Sequence, residues 1–389
     1  MKTIYITILL VAFTIDAKAQ NVKVFNMAVE MQKTIYLDGG GSTEFWGYSL
    51  IRDNGAYNAS LPGPVLEINK GDSIYINMYN DSPEDHTIHL HGLDVGQLND
   101  GVPATSFAVD PQETVTYAFK ADHAGVFMYH CHVLTTLHLT MGMYGMIVVH
   151  NYPDSNAVFT GGPTFNGSYN FLTSDMDRTW NDNVLSISPM YRFKADYFMV
   201  NGKSGNQLYN SNTNQVTSYV GDTTVLRLAN IAYSQIRYVF PPELNAKAYM
   251  SDGRVLPQEF DCDTLIVNAG ERYTVVLVPD ENINDDILVE YYEARNGDLE
   301  HTNHIKLNGD LSVKDGEISK FDVYPNPLTE QFTFATTSIG SVLEIYTLQG
   351  QLIKSLAINS YATQVNTLNF VPGIYIVKYQ NQTLKLVKQ

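Results

Sequence analysis

Between His86 and Val149 the chain places eight side chains able to bind a soft or borderline metal in two short clusters. Their spacing constrains this stretch more than any other feature of the sequence. The first cluster is His86-Thr87-Ile88-His89-Leu90-His91-Gly92; the second is His130-Cys131-His132, followed by His138 and Met143. In an extended chain alternate side chains point to opposite faces. If both clusters are strands, His89 and His91 share one face and His86, three residues earlier, points to the other. Likewise His130 and His132 share a face and Cys131 points away. Two such strands side by side present four imidazoles on one side and a Cys/His pair on the other, which divides the metal chemistry into two sites.

The second of these sites is expected to be completed by His138 and Met143. Two imidazoles, a thiolate and a weak thioether suit a copper ion that cycles between Cu(I) and Cu(II), the donor set of a blue-copper electron-transfer centre. Zinc accepts His and Cys but rarely recruits Met. Any one of these histidines alone would read as an ordinary core residue, and the cysteine as a structural thiol. Eight candidates sorted by face within one stretch argue for metal instead.

The rest of the chain reads as strands. Short runs such as Ser73 to Met78, Thr114 to Phe119 and Tyr273 to Val278 are punctuated by Gly, Asn, Asp and Pro, and helical periodicity is nearly absent, so the fold class is all-β. An internal repeat divides it. Gly71-Asp72 leads through an alternating run to Asn80, and Gly221-Asp222 leads to Asn230 with the same spacing; Pro111 to Tyr117 is answered by Ala269 to Val275. Two related β-sandwiches are expected, at about 20–152 and 153–312. Where the first carries Tyr129-His130-Cys131-His132, the second has Glu290-Tyr291-Tyr292-Glu293, so the second copy reads as structural or as a partner surface.

The ends differ from this middle. Met1-Lys2, the apolar run Ile4 to Ile15 and Ala17-Lys18-Ala19 have the form of a secretory signal peptide over 1–19, too short for a membrane span. From about 318 the charge balance turns mildly basic in a chain whose 24 basic and 41 acidic residues give a net charge of -17. That balance argues against nucleic acid or an anionic membrane as partner. Residues 318–389 are expected to form a small separate β-sandwich. Only two cysteines occur, and Cys131 is claimed by the metal site, which argues against a Cys131–Cys262 disulfide.

Residues of about 45–310 resemble the multicopper oxidases, which are built of cupredoxin-like Greek-key β-sandwiches. The likeness rests on Leu61-Pro62-Gly63-Pro64 before Gly71-Asp72, on Asp100-Gly101-Val102-Pro103, and on His130-Cys131-His132 with His138 and Gly142-Met143. It implies that His86, Cys131, His138 and Met143 hold a type 1 copper. It further implies that His89, His91, His130 and His132 hold oxygen-reducing type 2/type 3 coppers or a reduced cluster, and that Asp100 relays protons. Electrons would pass from a phenol, Cu(I), Fe(II) or Mn(II) to the type 1 copper, then along Cys131 to the cluster, where dioxygen becomes water.

The pattern also departs from that family. A full cluster there takes eight histidines from two domains, whereas the second sandwich offers only His301 and His304, in what reads as a polar turn, and His123 and His150 are misplaced. Two other readings therefore stay open. The spacing from His86 to His91 resembles the two-domain copper nitrite reductases, although His89 stands where those enzymes keep a catalytic Asp. A non-enzymatic blue-copper carrier is the third. Two-domain relatives suggest a homotrimer.

The C-terminal module resembles the sorting domain of the type IX secretion system of Gram-negative bacteria, through Tyr324-Pro325-Asn326-Pro327 and Gly373-Ile374-Tyr375. This implies the type IX machinery as partner, and a secreted or cell-surface protein that passes through the periplasm.

Overall fold

The alternation read from the sequence becomes strands that bury one face each. A computed structural model describes residues 21–184, 193–283, 285–308, 321–336, 339–360, 362–380 and 382–389. The expected signal segment lies outside them. The chain divides into two compact units, Met1–Leu311 and Ser312–Gln389.

The first unit opens with strands β1 (Val22–Tyr36), β2 (Ser42–Leu50), β3 (Leu66–Asn69), β4 (Ser73–Asp81), β5 (His89–His91), β6 (Thr114–Lys120), β7 (Gly125–His130) and β8 (Tyr144–His150), with a short helix α1 (Thr135–Thr140) before β8. They form two facing four-stranded sheets, β2-β1-β4-β6 and β3-β8-β7-β5. In β4 the residues Ile74, Ile76, Met78 and Asn80 point inward, while Tyr75, Asn77 and Tyr79 point outward. That is the period of two expected for a half-buried strand.

A second sandwich follows with β9 (Gly167–Met176), β10 (Tyr197–Val200), β11 (Val216–Thr217), β12 (Thr224–Asn230), β13 (Gln235–Val239), β14 (Lys247–Ser251), β15 (Arg254–Asp261), β16 (Thr264–Val267), β17 (Arg272–Leu277), β18 (Ile287–Tyr292), β19 (Leu299–Ile305) and β20 (Leu307–Asn308). Its sheets run β10-β9-β12-β17-β14-β15 and β16-β13-β18-β19, with a small β11-β20 pair. The internal repeat is visible in the pairing: β1 runs parallel to β4 with β6 antiparallel beyond it, and β9 runs parallel to β12 with β17 antiparallel beyond it. Its pins are also repeated. The Asn80 amide donates to the carbonyls of Glu84 (2.7 Å) and Val109 (2.8 Å), and the Asn230 amide donates to those of Ser234 (3.0 Å) and Val267 (2.9 Å). Each buried amide closes a loop that would otherwise leave carbonyls unpaired.

Strand β7 is buried along its whole length because both its faces are covered. Phe127, Tyr129 and Cys131 enter the core of the first sandwich, while Val126 and Met128 pack with Leu172 and Ala229 of the second. A strand covered on both faces reads as a continuous apolar run, as Gly125 to Tyr129 does.

The C-terminal unit holds β21 (Phe321–Tyr324), β22 (Gln331–Thr336), β23 (Val342–Thr347), β24 (Leu352–Ala357), β25 (Ala362–Asn366), β26 (Gly373–Tyr379) and β27 (Gln382–Lys388), in sheets β21-β22-β25 and β24-β23-β26-β27. Phe321, Phe332, Phe334, Val377 and Tyr379 fill its core. Asn326 ties its first loop to its last strand, accepting from the Val387 N–H (2.8 Å) and donating to the Lys385 carbonyl (2.7 Å). The described residues are therefore all-β in architecture, as the sequence implies. Among the described residues no helix is long and apolar enough to cross a membrane.

Candidate metal centre

Strands β5 and β7 pair antiparallel with His89 opposite His130 and His91 opposite Met128. This register decides where each candidate points. Ile88 and Leu90 face the core of the first sandwich with Tyr129 and Cys131, so His86 goes with them and is fully buried. His89, His91, His130 and His132 line a cavity on the opposite face, toward the second sandwich.

On the core side, Cys131 Sγ lies 3.6 Å from His86 Nδ1 and 3.1 Å from His138 Nδ1. The ligand atoms of these three residues all fall within 4.8 Å of one another. Donors at tetrahedral bond lengths of about 2.0–2.3 Å stand roughly 3.5 Å apart, so one ion fits among them. Helix α1 brings His138 back over the cysteine. The turn after it seats Met143, whose N–H donates to the His138 carbonyl (3.0 Å) and whose carbonyl accepts from the Cys131 N–H (3.1 Å). The Met143 side chain is buried in the same core.

The donor set fits a metal better than it fits packing alone. Nε2 of both His86 and His138 lacks any hydrogen-bond partner. Glu84 Oε2, the nearest carboxylate to His138 Nε2, is 3.7 Å away. A single thiol proton cannot serve two imidazoles, and a buried polar atom left unpaired costs about 1–3 kcal/mol. An ion bound to both Nδ1 lone pairs and the thiolate would engage all three facing donor atoms at once. Burial pushes His86 down to about 3, with His138 adding to the effect, and pushes His138 down to about 4, so both rings are held neutral and ready to ligate. Burial also raises the Cys131 thiol to about 11, and a coordinated cation would deprotonate it outright.

On the cavity side, His91 Nδ1 and His130 Nε2 are 3.3 Å apart, and His89 joins them in a second three-residue group. The His132 ring lies 5.2 Å from that of His89 and 6.0 Å from that of His130. Two rings have their tautomer set by the backbone. His89 Nδ1 donates to the Asp100 carbonyl (2.7 Å) and His130 Nδ1 to the Cys131 carbonyl (3.0 Å), leaving Nε2 of each with a lone pair. Burial lowers His130 to about 3, and lowers His91 to about 4 with Arg272 as the next cause.

Asp100 sits on the far side of His89, its Oδ1 3.4 Å from Nδ1. Gly101 lets that turn lie directly on β5. Its φ is +72° and a Cβ there would fall 2.0 Å from the Ile88 carbonyl oxygen.

Other histidines lie apart from both groups. His301 and His304 are in strand β19, not in the polar turn that Glu300 to Asn303 suggests: Asn303 and Ile305 turn inward and build the strand's buried face. His301 stacks on Phe198, and His304 faces Asp286 at 3.4 Å. His123 pairs with Asp94 and His150 with Glu67. Both cysteines are free and buried, in different cores.

Four contributors escape a reading of the sequence. The Thr87 hydroxyl accepts from the His132 N–H (2.8 Å) and lies 4.0 Å from Cys131 Sγ, so it touches both sites. Its place between His86 and the His89/His91 pair was the available signal. Arg272, buried, donates to the Gly270 carbonyl (2.6 Å) beside His91. Asp175 and Tyr233 line the histidine cavity from the second sandwich, and no motif marks them.

Residues 49–154 match the family model described as multicopper oxidase, and residues 322–389 match the secretion system C-terminal sorting domain. The multicopper oxidase MCE of Talaromyces pinophilus is 40% identical over 99 residues, covering 25% of this chain and 16% of that protein. Copper resistance protein A of Escherichia coli is 30% identical over 169 residues, covering 42% and 26%. The chain thus spans about a quarter or less of these relatives' length. The crystal structure of a blue copper oxidase from Nitrosomonas europaea superposes with a TM-score of 0.57 at 25% identity, covering 74% of this chain and 86% of that one. A copper nitrite reductase from the same organism shares the fold at 18% identity and a TM-score of 0.55, covering 75% and 95%.

Proposed function

We propose that this chain, which carries a multicopper oxidase domain at residues 49–154 and a secretion sorting domain at residues 322–389, is an exported copper-dependent oxidase. It takes electrons from a phenolic or metal-ion reductant and delivers them to dioxygen. The observation that carries this reading is the position of Cys131. Its thiol lies among the Nδ1 atoms of His86 and His138 on one face of the β5/β7 pair, while its chain neighbours His130 and His132 belong to the four imidazoles on the other.

Copper would supply one-electron redox chemistry at both places. On the core side, His86, Cys131, His138 and Met143 would hold a type 1 ion with water excluded, which limits reorganisation between its two oxidation states. From Sγ the covalent path runs through the Cys131 backbone to its two flanking residues, so an electron need not cross solvent. On the cavity side, the Asp100 and Cys131 carbonyls fix His89 and His130 with Nε2 free to ligate. Asp100, beside His89, is placed to move protons between that ring's surroundings and solvent.

Among the described residues the second sandwich brings no histidine to this cavity. Any further imidazole must come from another chain, and a homotrimer is the assembly we propose. Sedimentation of the copper-loaded protein tests it, and a monomer at working concentration would rule it out. The oxidase reading is tested by oxygen uptake with a phenol, Cu(I), Fe(II) and Mn(II) in turn. Uptake with at least one reductant is expected, and none with any would overturn it.

One observation favours a second reading. His89, His91 and His130 alone form a compact three-imidazole group, the ligand number of a type 2 copper in nitrite reductases. Nitric oxide formed from nitrite under anaerobic reduction, with no oxygen uptake, would select that enzyme instead.

A further inference from the structure

The four imidazoles look into a cavity of about 340 Å³ whose far wall is built by the second sandwich. Asp175, at the end of β9, is the only carboxylate among the described residues of that wall. The same side chain lines a second cavity, of about 210 Å³, which also holds Glu293, Arg295 and Glu300. Tyr233 borders both spaces as well. One buried carboxyl group therefore stands between the histidines and a set of partly exposed charges.

Dioxygen reduction sets a requirement on that cavity. Breaking the O–O bond and forming two waters takes four electrons and four protons for each O₂. The electrons come from the reductant, and the protons must come from solvent. Imidazoles engaged as ligands do not supply them, and the hydroxyls of Thr135, Thr140 and Ser174 around the cavity relay protons but do not release them near neutral pH. Asp100 serves His89 from its other side and does not line the space, so it leaves the wall opposite the imidazoles without a proton route of its own.

We propose that Asp175 is a proton-transfer residue, taking protons from the Glu293/Glu300 side and passing them into the histidine cavity during dioxygen reduction. The proposal rests on the oxidase reading. Three hydrogen bonds fix the Asp175 carboxyl group in place. Its Oδ1 accepts from the Tyr233 N–H (3.1 Å), and its Oδ2 accepts from the N–H (2.9 Å) and hydroxyl (2.8 Å) of Ser234. Oδ1 keeps a lone pair for a proton. Burial raises both Asp175 and Glu300 above the ordinary carboxylate range, and Glu293 and Asp175 raise Glu300 further. Facing Asp175 on the solvent side are Lys194 and Arg295 as well as the two glutamates. Tyr144, Tyr233 and Tyr291 lie beside it, all raised by burial and so neutral.

The test uses the copper-loaded full chain and the variants Asp175→Asn, Asp175→Glu and Glu300→Gln. In Asp175→Asn copper content and visible absorption should stay, and oxygen uptake should fall by about a hundredfold, the low end for a positioned acid. The solvent deuterium effect should rise, and the remaining rate should decline as pH increases. Asp175→Glu should restore part of the rate, and Glu300→Gln should move the same pH profile by less. A redox-difference infrared spectrum supplies a readout apart from turnover: a carboxyl band that shifts on reduction should vanish in Asp175→Asn. Unchanged uptake and pH profile with copper retained would overturn the proposal, as would a slower rate with unaltered deuterium effect and no lost carboxyl band. If Asp175→Asn does not fold, Glu300→Gln decides, and an unmoved pH profile there overturns it. Absence of oxygen uptake in the unmodified protein would defeat the oxidase reading first and this proposal with it.

Discussion

At the scale of the residue, Cys131 is the side chain on which both halves of the site depend. Replacing it by Ser keeps the volume and removes the thiolate. Cys131→Ser is expected to abolish visible charge-transfer absorption while leaving thermal unfolding, followed by the fluorescence of Trp46 and Trp180, within a few degrees of the parent. A retained band would remove the type 1 assignment. The buried imidazoles make a second prediction, for the metal-free protein. His86, His91, His130 and His138 titrate near 3 to 4 when folded, against about 6.5 when unfolded. The unfolded chain therefore binds more protons, and stability is full above about pH 6.5 and lost as pH falls toward 4. Each ring contributes on the order of a few kcal/mol to that loss. Denaturant midpoints at pH 7.5 and pH 5 check this, and equal midpoints would contradict it. Bound copper should flatten the same curve, because ligated rings no longer take up protons.

At the scale of the element, the β5/β7 pair was largely legible. The spacings from His86 to His91 and from His130 to His132 are enough to sort the side chains between two faces, and the register of His89 against His130 obeys that sorting. The repeat was legible too, because Asn80 and Asn230 close the same loop in both sandwiches. A period of two says that a face is buried but not by what, which is why Asp175, Tyr233 and Arg272 were invisible: they reach the histidines only through the docking of the second sandwich. His301 and His304 misled for a related reason. Strand β19 carries so many polar side chains that its sequence reads as a turn, and only Asn303 and Ile305 betray the buried face. The turn that lies on β5 gives a prediction at this scale. Gly101→Ala forces a Cβ into the Ile88 carbonyl and should lift Asp100 from His89. Copper bound in the cavity should weaken while the visible band persists, and equal loss of both would show that the two faces are not independent.

At the scale of the whole molecule, the acidic sandwiches and the C-terminal unit are separate compact bodies, each with its own core. The sorting domain implies recognition by the secretion machinery, apart from catalysis. Deleting 318–389 is expected to leave a folded, copper-binding protein retained in the periplasm, and normal levels of the truncated chain in the medium would contradict that division. The proposed function puts two different copper sites on one strand pair, joined through Cys131. A titration of the metal-free protein with copper, following the visible band and bound copper together, tests this arrangement. The band should saturate at one ion per chain while binding continues beyond it without adding colour. Saturation of both at a single ion would contradict it.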